Sequence, residues 1–309
     1  MKVLSEISIE LKSPLRLQSR DGLSAATSLP ADRLFSFIAI GWNRLFGSDS
    51  LLEKVISPFL SKKEPWIHSD LFPASESEIF IPALVPSSSR GDLIGSVENH
   101  YLPLNSILSC SDKAAPQFQK NLVSTISLLK ASREQDLKKH LSHAAGLCQS
   151  QNGSKEQELF FKGLIRANPE YLPLIERVLD FMQSEGIGGY RSSGAGEIAK
   201  IELRESSLKL PEPEQNTNKR MILSACCPSP ESIERIKASP AGSNQYRLRK
   251  SSGWIYDKNG QPSGLQKAAT YYFETGSIFS VAVEGQLIDL SREQHPCFRY
   301  GIPFTIAVP

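Results

Sequence analysis

The sequence has few cysteines, and their arrangement favours neither a disulfide framework nor a metal site. The five cysteines are odd in number and form no C-x-x-C pair, and apart from the adjacent Cys226 and Cys227 they are widely spaced. We expect ordinary thiols in a reducing compartment. Charged and apolar residues interleave at the start of the sequence, and no run of 18 apolar residues occurs. We therefore expect neither a signal peptide nor a transmembrane helix, and we predict a soluble, cytoplasmic protein.

An excess of charge of one sign is also lacking. The sequence has 35 Lys and Arg against 33 Asp and Glu, so its net charge is only +2. That charge is too small to attract nucleic acid through the field of the whole protein. Any nucleic-acid contact must therefore depend on a local cluster of basic residues.

A chain of 309 residues is long for a single core, because cores stop growing at about 250 to 300 residues. The proline-rich polar segment from Pro211 to Lys219 is typical of a linker. We predict an N-terminal domain over residues 1–210 and a smaller α+β domain over residues 211–309.

The first domain is predicted to open with a strand and a helix. Side chains alternate between apolar and polar from Val3 to Lys12, which is typical of a half-buried strand. A helix is predicted to begin near Pro30, since proline and Asp32 suit a first turn, and to end at Gly47.

The middle of the first domain is predicted as a helical and irregular insertion. Residues Ser57 to Asp112 have little periodicity apart from a short strand at Ile79 to Val85. From Pro116 to Cys148, Leu122, Ile126 and Leu129 recur at helical spacing, which predicts a long helix.

The first domain is predicted to end in the order strand, helix, loop, strand. The strands are Glu158 to Ile165 and Ile198 to Arg204, and the helix is Glu170 to Ser184. In the second domain we predict a helix over Pro230 to Lys237. The strands predicted there are Met221 to Cys226, Ser252 to Tyr256, Ser277 to Glu284 and Pro303 to Val308.

The loop Gly186-Ile-Gly-Gly-Tyr-Arg-Ser-Ser-Gly-Ala-Gly196 carries the strongest functional signal. Its five glycines allow the backbone to approach a ligand closely and to present N–H groups to an anion. Its polar and aromatic side chains suit the sugar-phosphate backbone and splayed bases of single-stranded RNA. The predicted RNA-binding residues of the loop are Gly186, Gly188, Gly189, Tyr190, Arg191, Ser192, Ser193, Gly194 and Gly196.

The loop has two other interpretations, a nucleotide-binding loop and a helix cap with a turn. Phosphate-binding loops of nucleotide enzymes run from a strand into a helix, whereas here the helix precedes the glycines, and no Walker Lys-Ser/Thr pair is present. Chain order therefore argues against a nucleotide site. A helix cap at Gly186 followed by a turn, with glycines serving geometry alone, stays open.

The helix, the pattern G-hydrophobic-G-G-x-R-S-S-G-x-G and the following strand resemble the signature loop of the RAMP superfamily of CRISPR proteins. Three C-terminal segments resemble one branch of it, the fourth subunits of Csm (type III-A) effector complexes. These segments are Tyr246-Arg-Leu-Arg-Lys-Ser-Ser-Gly-Trp254, Tyr272-Phe-Glu-Thr-Gly-Ser-Ile-Phe279 and His295-Pro-Cys-Phe-Arg-Tyr-Gly301. The segments Ala31-Asp-Arg-Leu-Phe-Ser36 and Glu158-Leu-Phe-Phe161 also agree.

The resemblance implies an α+β fold of two modified ferredoxin-like, RRM-type units, with the glycine-rich loop between the last helix and last strand of the first. It implies a non-catalytic subunit of an antiviral ribonucleoprotein that holds the 5′ tag of the guide RNA (crRNA). The implied partners are the crRNA, a large palm-containing subunit and a RAMP backbone subunit, with target RNA contacted indirectly.

Some members of the RAMP superfamily are metal-independent endoribonucleases that use a histidine. The five histidines are His68, His100, His140, His143 and His295, and none lies in a recognisable catalytic pattern. The acidic residues form no D-x-D cluster. We expect no catalytic residue, metal or cofactor, and we keep a guide-processing endoribonuclease as the alternative.

A second group of basic residues lies in the C-terminal domain. Seven Lys and Arg stand against one acidic residue, Asp257, between Arg235 and Lys267. Among them Arg247, Arg249 and Lys250, with Trp254, combine phosphate-binding charge with a stacking surface. A solvated edge strand protected by charge is the alternative. Near the first strand and helix, Lys12, Arg16 and Arg33 are further predicted phosphate contacts.

Overall fold

The computed structural model describes residues 2–13, 15, 28–75, 77–82, 100–108, 119–120, 123–130, 142–149, 159–189, 191, 194–210, 219–256, 262–292 and 295–308. Over these residues the chain is mixed α/β, with antiparallel sheets and few helices. The helices are α1 Ala31–Leu51, α2 Ser57–Leu60, α3 Leu104–Leu108, α4 Leu172–Gln183 and α5 Pro230–Ala238, with a π-helical turn Leu52–Ile56 and a 3-10 turn Pro169–Tyr171.

The strands of residues 1–210 are β1 Val3–Leu11, β2 Trp66–His68, β3 Phe72–Pro73, β4 Phe80–Pro82, β5 His100–Pro103, β6 Gln119–Lys120, β7 Val123–Lys130, β8 Ser142–Gln149, β9 Leu159–Ala167 and β10 Ile198–Glu205. Those that follow are β11 Lys219–Ile222, β12 Leu248–Ser251, β13 Trp254–Tyr256, β14 Pro262–Gln266, β15 Thr270–Phe273, β16 Ile278–Phe279, β17 Gln286–Asp289, β18 Phe298–Gly301 and β19 Thr305–Val308.

The first sheet has the strand order β10-β1-β9-β2, and β3 also pairs with β9. All of these pairings are antiparallel. Strand β1 lies in the interior of the sheet between β10 and β9, and Ile7, Ile9 and Leu11 on one of its faces are at most 3% exposed. The predicted strand at the N-terminus is therefore confirmed.

Helices α1 and α4 pack on one face of this sheet. Leu34, Ile38 and Trp42 of α1 and Ile175 and Val178 of α4 belong to the same buried cluster. The predicted helix start at Pro30 is confirmed. At Gly47 the backbone leaves helical geometry (φ 85°), as predicted, but it resumes a helical path to Leu51 and beyond.

The two faces of the first sheet both contact the C-terminal part of the chain. Tyr300, Ile302 and Leu287 pack among the residues that α1 and α4 bury. On the other face, Leu164 belongs to a cluster that includes Phe304 and eight further buried residues from both sides of residue 210. The halves of the chain share cores, and the proposed boundary at residue 210 stays a prediction. The predicted linker residues 211–218 lie outside the described residues.

The long helix predicted from Pro116 to Cys148 is wrong wherever the structure describes this region. Strands β7 and β8 pair antiparallel from Val123 with Gln149 to Lys130 with Ser142. The β-branched residues Val123, Thr125 and Ile126 favour a strand, and this preference outweighs the helical spacing of the leucines. An insertion that is helical over this stretch is therefore also wrong.

Other differences concern short elements. The stretch predicted as irregular contains β2, β3, β5 and α3, as well as β4 near its predicted place. Strands β12, β14, β15, β17 and β18 were not predicted, and strands β11, β13 and β16 coincide with only part of their predicted ranges. Strands of two to five residues rarely complete enough periods of alternation to be recognised. Helix α5 and strand β19 agree with their predictions.

Candidate nucleic-acid interface

The glycine-rich loop begins where α4 ends and is closed at its neck by two glycines. The Ile187 N–H donates to the Gly196 carbonyl oxygen over 2.8 Å. A Cβ on Gly196 would lie 1.8 Å from the Ile187 carbonyl oxygen, and both Gly186 (φ 68°) and Gly196 (φ 69°) adopt left-handed backbone conformations. At this neck, formed by Gly186, Ile187 and Gly196, the glycines are required by the backbone conformation, as the capping interpretation predicts.

The rest of the loop is divided between buried and exposed residues. Ile187 and Ala195 are buried and anchor the loop on the core. Gly188, Arg191 and Gly194 are exposed, and Gly188 and Gly194 have positive φ angles. The loop therefore presents exposed backbone beside an arginine. Tyr190, Ser192 and Ser193 lie outside the described residues.

The exposed part of the loop forms one wall of a cleft of about 370 Å³, and α1 forms the other. Its apolar lining includes Phe37, Ile40 and Met182, and the Ile40 side chain is 48% exposed. Three arginines surround it, namely Arg33 and Arg44 from α1 and Arg191 from the loop. The cleft thus combines an apolar surface with cations, as an RNA base with its phosphates requires.

Glu185 forms ion pairs with two of these arginines, Arg44 and Arg191. Its carboxylate lies 2.7 Å from Arg44 and 3.9 Å from Arg191, and Arg191 also donates to the Glu185 backbone oxygen over 3.2 Å. All three side chains are substantially exposed, so these ion pairs contribute little to stability and can exchange for phosphate.

Among the arginines of the cleft, Arg33 was predicted from the sequence, whereas Arg44 was missed. Its signal was the spacing of Arg33, Phe37, Ile40 and Arg44 along one helix face.

Lys12 lies beside Glu197, the residue that follows the glycine-rich loop. Its backbone N–H donates to the Glu197 carbonyl oxygen over 2.9 Å, and its ammonium lies 3.4 Å from the Glu197 carboxylate. The Ser13 hydroxyl accepts from the Glu197 N–H over 2.8 Å. The loop is thereby fixed to the end of β1, and the exposed ammonium can reach a ligand. Arg16 lies outside the described residues.

The predicted basic residues of the C-terminal part lie on and beside a β-ribbon formed by β12 with β15. The exposed Arg247 precedes β12. Arg249 is opposite Tyr272, with its guanidinium carbon 5.4 Å from the ring centre. Lys250 is opposite Tyr271, and successive residues of a strand point to opposite faces. The strand therefore separates Arg249 from Lys250. Trp254 lies in β13, where its backbone pairs with Gln266.

The histidines that the structure describes do not converge on the cleft. His68 is fully buried and stacks on Tyr300 with ring centres 4.4 Å apart. Burial lowers the pKa of His68 to about 4. His143 lies on strand β8 rather than on a helix, and His295 forms a backbone bridge with Arg292. Among the described residues no group of three or more His, Cys, Asp or Glu is placed to hold a metal ion.

Of the helices in the described ranges, none is both long and apolar enough to span a membrane.

Comparison with known proteins gives consistent matches. The family model for the CRISPR Csm4 C-terminal domain matches residues 215–308. The chain is 26% identical over 317 aligned positions to the CRISPR system Cms protein Csm4 of Mycobacterium tuberculosis (strain H37Rv), covering 93% of both proteins. It is 29% identical over 119 residues, 38% of each chain, to the protein of the same name from Streptococcus thermophilus.

Solved structures with the same fold cover the whole chain. A chain of the Csm3–Csm4 subcomplex of the type III-A CRISPR-Cas interference complex matches with a TM-score of 0.64 at 17% identity, covering 100% of both chains. A chain of the Csm1–Csm4 cassette in complex with AMPPNP matches with a TM-score of 0.61 at 15% identity, covering 100% of this chain and 98% of that one. The chain is therefore similar to Csm4 proteins of CRISPR systems over 93% of its length, and its residues 215–308 match the Csm4 C-terminal domain family.

Proposed function

We propose that this protein is a non-catalytic, RNA-binding subunit of a type III CRISPR effector complex and that it holds the 5′ tag of the crRNA. The observation that carries the proposal is the cleft between the glycine-rich loop and α1. It places Arg33, Arg44 and Arg191 around an apolar floor. The family match supports the complex, and the cleft supports the RNA.

The chemistry of the cleft suits a single RNA strand. Exposed Gly188 has no side chain, so a sugar-phosphate backbone can approach its peptide groups closely. The three arginines supply bidentate donors for phosphate oxygens. Ile40 and Phe37 offer the apolar surface on which an unstacked base can rest. Its volume, about 370 Å³, lies at the lower end of the usual range for ligand sites, roughly 300 to 1,000 Å³.

The order of elements around the cleft supports a modified ferredoxin-like unit. Along the chain β1, α1, β2, β9, α4 and β10 occur in this order, with other elements between β2 and β9, and in the sheet the last strand is beside the first. The glycine-rich loop joins the last helix of this unit to its last strand. A second unit of this type after residue 210 remains part of the proposal.

The partners we propose are a large palm-containing subunit and a RAMP backbone subunit, with this protein bridging them in the cytoplasm. Solved relatives of this fold include chains from a Csm1–Csm4 cassette and from a Csm3–Csm4 subcomplex. Target RNA would be contacted only through these neighbours and the crRNA.

RNA recovered from the native complex tests the proposal directly. We expect the co-purified RNAs to share a repeat-derived 5′ end. Arg191→Glu and Gly189→Asp each add negative charge to the wall of the cleft, and we expect both to lose this RNA while the protein still folds. Lys237→Glu makes the same charge change as Arg191→Glu on the exposed surface of α5 and serves as the control. RNAs without a common 5′ end would contradict the proposal.

Two further experiments separate the alternatives. Incubation of the purified protein with repeat RNA, without metal, is expected to leave the RNA intact; cleavage that a histidine substitution abolishes would instead establish an endoribonuclease. A photoreactive residue at Tyr190 is expected to crosslink to RNA in the complex. A crosslink to protein alone would indicate that the loop is a packing element.

A further inference from the structure

A second group of cations lies where the C-terminal part of the chain meets the start of α1. Arg299 of β18 forms an ion pair with Asp32 in the first turn of α1, over 2.5 Å. The Lys267 side chain hydrogen-bonds with the Cys297 side chain, and the positive charges of Arg299 and Arg33 act on the Lys267 ammonium. We call Arg33, Lys267 and Arg299 the basic cluster.

The basic cluster has more positive charge than its described carboxylates compensate. Asp32 is already engaged by Arg299, with the two side chains 12% and 18% exposed. Asp70, the next carboxylate, is buried and accepts from the Ala31 N–H and the Thr275 hydroxyl, each over 2.7 Å. Half-burial and the two guanidiniums lower the pKa of Lys267. Cations placed together in this way repel one another, and a bound anion removes that repulsion.

The basic cluster is continuous with the cleft through Arg33. This exposed residue lines the cleft beside the glycine-rich loop and also lies close to Lys267. An RNA strand that leaves the cleft beside Arg33 can therefore reach Lys267. The positive end of the α1 dipole faces the same region and favours negative charge there.

We propose that the basic cluster binds a phosphate of the same RNA strand whose neighbouring nucleotide occupies the cleft. Arg33 and Lys267 contact the phosphate oxygens, and Arg299, held by Asp32, adds positive charge behind them. This inference rests on the proposed function and extends the RNA path from the glycine-rich loop onto the C-terminal part of the chain. Lys267 thereby becomes an RNA-binding residue, and Arg299 supports it from behind.

Salt-dependent affinity tests the inference on the full-length protein. The probe is the RNA recovered from the native complex, resynthesised with a fluorescein label, and its dissociation constant is measured at several salt concentrations. Loss of one phosphate contact on a single strand lowers the slope of log affinity against log salt by about 0.7. We expect Lys267→Gln to show this change and to bind roughly fivefold more weakly. Lys267→Arg keeps the charge and is expected to restore both values.

The control is Lys237→Gln, which removes an equal charge from an exposed lysine on α5 and is expected to change neither value. As a second readout, RNA is expected to protect Lys267 of the unaltered protein from acetylation but to leave Lys237 reactive. If Lys267→Gln keeps the slope of the unaltered protein while Arg191→Glu loses binding, the inference is overturned and the proposed function stands. If the unaltered protein does not bind the RNA, both are overturned.

Discussion

At the scale of single residues, the neck of the glycine-rich loop has no room for a side chain. We predict that Gly196→Ala lowers the free energy of unfolding by about 3 kcal/mol, because left-handed strain adds to a contact of 1.8 Å between Cβ and the Ile187 carbonyl oxygen. RNA binding is expected to fall with it. Gly242→Ala, at a similar φ of 80° but with open space around its Cβ, is expected to cost only about 1 kcal/mol. Urea unfolding measures the free energy of unfolding of both variants. Equal losses in the two variants would contradict the claim that the neck of the loop has no room for a side chain.

Two buried titratable residues act on stability in opposite directions. Burial lowers the pKa of His68 to about 4, so the unfolded chain binds this proton more tightly, and the histidine makes stability rise with pH between about 4 and 6.5. Burial raises the pKa of Asp70 to about 6, so the folded chain binds this proton more tightly, and the aspartate makes stability fall with pH between about 4 and 6. In the unaltered protein the two contributions offset one another over that interval.

Single substitutions are therefore predicted to reveal the two slopes. With Asp70→Asn, the free energy of unfolding is expected to rise by on the order of 3 kcal/mol from pH 4 to 6.5 because only the His68 contribution remains. With His68→Gln it is expected to fall by a similar amount from pH 4 to 6. Urea unfolding at several pH values provides the measurement. Parallel pH profiles for both variants would contradict the prediction.

At the scale of elements, the contact between α1 and α4 determines where the glycine-rich loop lies, because α4 leads directly into it. A Cβ on Gly41 would lie 2.5 Å from Met182 Cγ and 2.7 Å from Val178 Cγ1. We predict that Gly41→Ala destabilises the protein by about 1 to 3 kcal/mol despite the better helix propensity of alanine, and that it weakens RNA binding.

The matched test is the double variant Gly41→Ala/Val178→Ala, which removes a side chain that the new Cβ would meet and that does not line the cleft. We expect it to bind RNA more tightly than Gly41→Ala alone, measured by fluorescence anisotropy. If the double variant binds no better, the helix contact does not control the loop.

How well an element could be predicted depended on its length and on what surrounds it. Strands β1, β9 and β10 and helices α1 and α4 were predicted because each repeats its buried face several times, as Ile7, Ile9 and Leu11 do. Strands β7 and β8 were predicted as helix because leucine spacing alone does not distinguish the two structures. In the interface, Arg33 and Lys12 were predicted, whereas Arg44 and Glu185 were not, because their importance comes from their position opposite the loop.

At the scale of the whole molecule, the shared cores predict that the chain unfolds as one cooperative unit. Tyr300 stacks on Phe35 of α1 with ring centres 5.2 Å apart, and Phe304 packs under Arg166 of β9 at 4.9 Å. We expect residues 1–210 alone to aggregate, because this apolar surface would be exposed, and to regain solubility when residues 211–309 are co-expressed. Size-exclusion chromatography measures this. A monomeric, cooperatively unfolding fragment 1–210 would instead support two independent domains.

By itself the sequence determined the resemblance to CRISPR RAMP proteins, the glycine-rich loop and the order of the long elements, because these depend on residues close together in the chain. Glycine spacing, a preceding helix and a following strand are local properties. Only the tertiary structure decided that the loop faces α1 across a cleft, that Arg44 joins it through Glu185, and that Arg299 reaches Asp32 from 267 residues away. Those contacts arise from packing between distant segments, and no local pattern of residues encodes which of them will meet.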